Sequence, residues 1–323
     1  MSEKAKKIKK NKIEGVYVRK SFGKRTLEDW IFDIIIYLTL AFVVVVTVYP
    51  FWNTAVLSVN EGLDSLRGGV KLWPRVFTWH NYETLFRTNA IPKAFRVSVS
   101  RTIIQTVLNI FCTTVLAYAL SRKEFVLRKV FTTVLVISMY VNAGLIPGYM
   151  LIRKLGLLGK YSVYIIPCLV EVFNFILVRT YISGLSDSFI ESARIDGANE
   201  FLIYRKIIMP LIVPSIAMVA LFVAVGAWSA WFDTYLYCSG KQHLHSLQYK
   251  LMEYLNSAMN SSNSAADAGS KALAAASGSV AAQITPISIR SAITMVATIP
   301  ILIVYPFLQK YFVSGIAIGG VKE

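Results

Sequence analysis

The chain has 323 residues, 55% of them hydrophobic and 16% charged, with a net charge of +16. So large an apolar share with so little charge excludes an ordinary water-soluble domain and points to the membrane class. The basic balance does not indicate a nucleic-acid binder, because ten of the 34 Lys and Arg residues crowd into the first 29 positions.

Residues 1–29 are read as a basic cytoplasmic tail, with "KAKKIKKNK" over Lys4–Lys12. They are too charged for a signal peptide, which needs a short apolar core and a cleavage site. Lysine runs of this kind either fix topology or meet anionic lipid head groups. Residues 30–323 then form the membrane domain. A crossing takes about 20 apolar residues, and six stretches qualify: Trp30–Pro50, Val97–Leu120, Val130–Met150, Tyr161–Val178, Ile207–Trp228 and Ser291–Leu308. The expected fold is all-α and polytopic, with both termini on the cytoplasmic side.

The first crossing carries Asp33 near enough to its end to reach the interface. An external loop follows at about 51–96, where Trp73, Phe77, Trp79, Tyr82 and Phe86 form an interfacial aromatic belt or, alternatively, a sugar-stacking surface. The connection "SRKEFVLRK", Ser121–Lys129, is basic and falls on the same side as the tail. Asn142 lies at the outer end of the third crossing and is a candidate for a translocation path. In the fourth, Glu171 and Asn174 share a helix face. They either line that path or bond a neighbouring helix, since ionisable groups inside crossings are functional candidates by default.

Residues 186–210 interrupt the oily pattern with Glu191, Arg194, Asp196, Glu200, Arg205 and Lys206. Ser188 and Glu191 have the spacing of a capping box, which predicts a helix to Asp196. Gly197 tolerates positive φ and turns the chain, and a second short helix starts from Asn199. The product is a rigid polar protrusion shaped to meet another protein. The plainer reading is an amphipathic connector in which Glu191 caps and Arg194 pairs at i+3. Beyond the fifth crossing, Trp228, Trp231, Phe232 and Tyr235 are expected to cluster as interfacial anchors or sugar-stacking rings. The second external loop, about 231–287, ends in a Ser-, Ala- and Gly-rich stretch with little to build a core of its own.

No side-chain constellation supports catalysis or a metal. His243 and His245 are expected in a solvated loop, Cys112, Cys168 and Cys238 act as small apolar fillers, and no Walker A pattern offers an ATP phosphate cradle.

Glu191-Ser192-Ala193, three residues, Gly197, nine residues, Ile207, one residue, Met209-Pro210 resembles the EAA loop, E-A-A-x3-G-x9-I-x-L-P, of permease subunits in bacterial ATP-binding-cassette importers. Ser192 and Met209 are its two departures. "GLIPGYMLIRKLGLLGKY" from Gly144, "ARIDGA" from Ala193 and "YPFLQKYFVSGIAIGGVKE" from Tyr305 extend the likeness to carbohydrate permeases of the maltose-importer MalG type. More narrowly, the chain is similar to the LplC and YtcP complex-oligosaccharide group.

The resemblance implies a six-helix type I importer permease of the cytoplasmic (inner) membrane, without an ATPase site or cofactor of its own. It implies a second, MalF-like permease, two ATPase subunits holding ATP and Mg, an external solute-binding protein, an oligosaccharide substrate, membrane lipids and no nucleic acid. Glu191, Ala193 and Gly197 would form the core of the ATPase contact, with Arg194 and Asp196 beside it and Pro210 closing the loop. Asn142, Glu171, Asn174 and Trp228 are the substrate-path candidates. The alternatives are an ATP-binding-cassette permease for a non-sugar solute and a proton-coupled secondary transporter with Glu171 as relay.

Overall fold

A computed structural model describes residues 27–87, 90–141, 143–262 and 285–319. The basic tail, Asn142 and the Ser/Ala/Gly-rich stretch therefore fall wholly or mainly outside the described residues. Among those described the chain is helical, with one isolated bridge, Asn60 to Phe77. It divides into two compact units between Asn53 and Thr54.

Helix α1, Leu27–Ser58, is apolar on all sides, and Ile35, Phe42 and Val45 are exposed along it. Its threonines hide their hydroxyls by donating back to carbonyls one turn earlier, Thr39 to Ile35 and Thr47 to Val43. Short helices α2 (Gly62–Leu66) and α3 (His80–Arg87) occupy the expected first external loop. Asn60 organises that loop. Its amide nitrogen donates to Asp64 and Ser65, and its oxygen accepts from the backbone N–H groups of Arg75 and Val76. Trp73, Phe77, Trp79 and Phe86 remain exposed around it, whereas the Tyr82 hydroxyl donates inward to Ser58.

Helix α4, Ala90–Ser121, runs 32 residues, long enough to cross a bilayer core with turns to spare. Ser98, Arg101, Gln105, Asn109 and Thr113 recur every three or four residues on it and are all buried. Ile103, Val107 and Phe111, on its other side, are exposed. Polar inside and oily outside is the reverse of a helix in water, and it is the arrangement a lipid solvent favours.

The third expected crossing is not continuous. Helix α5, Arg128–Tyr140, has 13 residues, rising about 20 Å against the about 30 Å of a bilayer core. Val141 is extended, Gly144 takes φ +86°, and α6 resumes at Leu145–Lys154. Gly144 turns the chain there, and Pro147 sits in the first turn of α6, where a missing N–H costs no bond.

Two other crossings are bent pairs. Turns at Tyr161–Tyr164 and Ile166–Cys168 lead at 43° into α7, Val172–Ser183. After α8 (Ser188–Ile195), the run of α9 (Glu200–Ile203), a π turn and α10 (Met209–Leu211) meets α11 (Val213–Ser229) at 78°. Pro214 lies in the first turn of α11, so the bend falls where the proline has no N–H to supply. Three single helices and two bent pairs give up to five membrane-length elements among the described residues.

The expected second external loop opens on helical residues ahead of its Ser/Ala/Gly-rich end. Helices α12 (Phe232–Cys238) and α13 (Leu247–Ser262) occupy its first half. Leu247 is buried with Leu85, Ile91 and Trp228 against Ala292, Ile293 and Ala297 of α14, Pro286–Gly319. Leu244 and Leu247 anchor this first half in buried clusters. His245 is likewise buried rather than solvated, with its ring T-shaped against Tyr249 and its Nε2 against the Ser239 carbonyl.

Trp228 stands apart from the rings with which it was grouped. Trp231, Phe232 and Tyr235 do form a three-ring cluster with centroids 5.7–6.3 Å apart. Trp228 instead packs edge-on against Phe95 and donates its indole N–H to the Ala297 carbonyl at 2.8 Å. Trp228→Phe removes that donor and strands a buried carbonyl. We expect a loss of about 1–2 kcal/mol in stability, and Trp228→Ala a loss of about 3–5 kcal/mol, both read from thermal unfolding of the detergent-solubilised protein.

Candidate functional site

Two regions gather the polar chemistry. The first is the 186–210 segment. Helix α8 starts one residue after Asp187, but no capping box forms. Ser186 takes the Ser188 N–H with its hydroxyl at 3.3 Å, and the two serine hydroxyls meet at 2.7 Å. Asp187 is drawn to Lys123 at 2.7 Å, and Glu191 stays exposed on the outer side.

The turn after α8 matches its sequence chemistry. Gly197 takes φ +78°, with its N–H on the Arg194 carbonyl and the Ala198 N–H on that of Ala193. This pair of bonds is the Schellman closure of a helix C-terminus. Asn199 then caps α9 by accepting the Leu202 N–H at 2.8 Å.

Arg194 does not pair with Glu191. Its Nη1 reaches Glu124 at 2.6 Å, in the connection between α4 and α5, and its Nη2 and Nε reach Glu200 at 2.8 and 3.1 Å. The other oxygen of Glu200 accepts from the Tyr118 hydroxyl at 2.6 Å, and the Arg122 guanidinium lies 5.0 Å from the Tyr118 ring centroid. One guanidinium therefore clamps α8 to α9 and to the end of α4. Its hydrogen bond holds the Glu124 carboxyl below the ordinary carboxylate range, Lys123 does the same for Asp187, and the Arg194 pKa is pushed up in return. All four partners are exposed enough for water and salt to screen them, so the clamp orients the segment more than it stabilises the fold.

Burial divides the segment into two faces. Ile190, Ala193, Ile203 and Tyr204 join the same core as Phe175 and Val178 of α7. Glu191, Ile195, Asp196 and Phe201 face outward, Ile195 with 86% of its surface exposed. Ala193 thus packs into its own chain, and Pro210 sits exposed within α10 just ahead of the bend.

The second region is a cleft of about 500 Å³ between α4, the turns before α7, α11 and the start of α12. Arg101, Gln105, Glu171, Gly226, Trp231 and Asp233 are on its walls. Arg101 is only 2% exposed, pairs both terminal nitrogens with the Asp233 carboxylate, and lies over the Tyr164 ring at 4.5 Å. Glu171 lies just ahead of α7 in extended backbone, not on its face, and its carboxylate accepts from the Asn174 amide at 2.9 Å. Asn174 itself is buried. Arg101 and Gln105 were absent from the sequence-based candidates, although an arginine inside an apolar run is the signal that should have raised them.

Apolar helices of membrane length, one of them with a buried polar stripe, mark a membrane-spanning subunit. The family of binding-protein-dependent transport system inner membrane components matches residues 114–318. The chain belongs to that family.

Among its relatives is the polygalacturonan/rhamnogalacturonan transport system permease protein YtcP of Bacillus subtilis (strain 168). It is 32% identical over 298 residues, covering 92% of this chain and 100% of the relative. Protein LplC of the same organism is 32% identical over 294 residues, 90% of this chain and 95% of the relative. A solved structure, that of a bacterial ABC transporter involved in the import of the acidic polysaccharide alginate, superposes with a TM-score of 0.77. It is 28% identical over 89% of this chain and 99% of the other.

Proposed function

We propose that the chain is one of two permease subunits in an importer that moves an oligosaccharide across the cytoplasmic membrane. A second permease completes the pathway and an external solute-binding protein delivers the sugar. Two separate ATPase subunits hold ATP and Mg and drive alternating access. Relatives named for polygalacturonan/rhamnogalacturonan and arabinooligosaccharides support the sugar class. In this reading the membrane domain makes six crossings, the interrupted α5–α6 region counting as one, with both termini in the cytoplasm.

The observation that carries the mechanism is the two-faced 186–210 segment. Its inner face is fused to the α4–α7 core, so a push on it moves whole helices. Its outer face offers charge at Glu191 and Asp196 beside the exposed apolar residues Ile195 and Phe201. An apolar anchor inside a polar rim is the usual make-up of a protein contact. The ATPase contact therefore falls on Glu191, Asp196 and Ile195, while Ala193 packs the segment onto its core and Gly197 sets its turn.

A photocrosslinker placed at Ile195 in the assembled importer should capture the ATPase subunit, and one at Ala193 should not. Capture from neither position, or labelling of the segment only from the external face, would sink this assignment.

A further inference from the structure

We infer that the cleft between α4, the turns before α7 and α11 is a subsite at which this subunit itself binds one sugar ring of the transported chain. This rests on the proposal that the chain is an oligosaccharide permease. Two buried polar atoms on the cleft-lining residues, Gln105 Oε1 and Arg101 Nε, have no hydrogen-bond partner among the described residues. Buried polar groups are normally paired, and an exception in a cleft marks where a partner arrives. Gln105 is 5% exposed and Arg101 2%, so neither is a surface side chain that happens to be free.

The unmet needs are one acceptor and one donor, a turn apart on the same helix. A hydroxyl can satisfy either, donating to Gln105 Oε1 or accepting from Arg101 Nε. A sugar ring carries several hydroxyls at fixed spacing and can meet both at once. The Glu171 carboxylate lines the same cleft and accepts further hydroxyls.

Trp231 adds an aromatic surface to the wall, and such rings pack against the C–H face of a sugar. The volume of about 500 Å³ lies in the usual range for small-molecule sites, about 300–1,000 Å³. Gly226 keeps the α11 wall open, since a Cβ built there meets no heavy atom within 4 Å.

The test uses the complete importer with its binding protein in proteoliposomes, offered trigalacturonate, arabinotriose and galactotriose in turn. For whichever trisaccharide the wild type imports, Gln105→Leu should raise the KM for uptake by about tenfold, the loss of one well-made hydrogen bond. A role confined to packing would lower the amount of assembled complex and leave KM where it was.

The second measurement does not depend on turnover. In Gly226→Cys on a Cys168→Ser background, alkylation of the introduced thiol should slow when the imported trisaccharide and its binding protein are present. An unchanged KM in Gln105→Leu, or alkylation indifferent to the sugar, overturns the subsite. If the wild type imports none of the three sugars in an ATP-dependent way, the fault lies with the oligosaccharide reading itself.

Discussion

Replacing Gly197 with Val should abolish most ATP-driven uptake, whereas Gly197→Asn should be mild and Gly197→Ala intermediate. The ranking follows from one dihedral. At φ +78° the residue is in the left-handed region, where a Cβ approaches the backbone carbonyl at a cost of about 1–2 kcal/mol. Asn tolerates that region through local hydrogen bonds, and a β-branched side chain is disfavoured most.

Crowding plays no part, because nothing lies within 4 Å of a Cβ built on Gly197. The strain falls on the turn that aims α9 and presents Ile195. If the chain relaxes by giving up the turn, the bonds from Gly197 and Ala198 to Arg194 and Ala193 go with it. Uptake per assembled complex should then fall by about thirtyfold or more in Gly197→Val, the equivalent of about 2 kcal/mol. Equal uptake in the Val and Ala variants would show that the bend does not transmit the stroke.

That turn was legible because its causes are local. Glycine after the last helical residue and asparagine two positions on each act within one turn of chain, and both were found in their expected roles. The capping box was equally local in form but lost a local competition. Ser186, two residues upstream, reaches the Ser188 N–H, while Lys123 holds Asp187 from another connection.

The pairing of Arg194 with Glu124 had no signature at all. Glu124 lies 70 positions away, and only the packing of α8 beside the α4–α5 connection brings them together. Lipid-length helices were visible as apolar runs, but a hydropathy average conceals the breaks. Gly144 and Pro214 interrupt their runs without lowering them, so two crossings looked straight and continuous when their backbones are not. The polar stripe of α4 was hidden in the same way. Its five buried polar residues sit among enough Ile, Val and Phe to leave the average oily, and only their helical spacing betrays them.

The most consequential member of that stripe is Arg101, and its removal should destabilise the protein more than any change at the surface. Arg101→Leu leaves the largely buried Asp233 carboxylate without its counter-charge, and Asp233→Leu leaves a buried guanidinium without its own. Breaking one half of a buried pair costs about 3–5 kcal/mol, which in a chain of this size lowers the midpoint of thermal unfolding by about 10 °C. The damage should spread outward, since the Tyr164 ring beneath Arg101 carries the hydroxyl that bonds Leu244 and Thr234. Those contacts hold α12 and the following turn onto the bundle.

The double variant Arg101→Leu/Asp233→Leu should recover much of the loss, because the desolvation penalty leaves with both charges. Recovery will be incomplete, as Asp233 also accepts the Thr234 N–H at the start of α12. A double variant no more stable than the worse single one would mean that the pair is not what fixes α12 to α4.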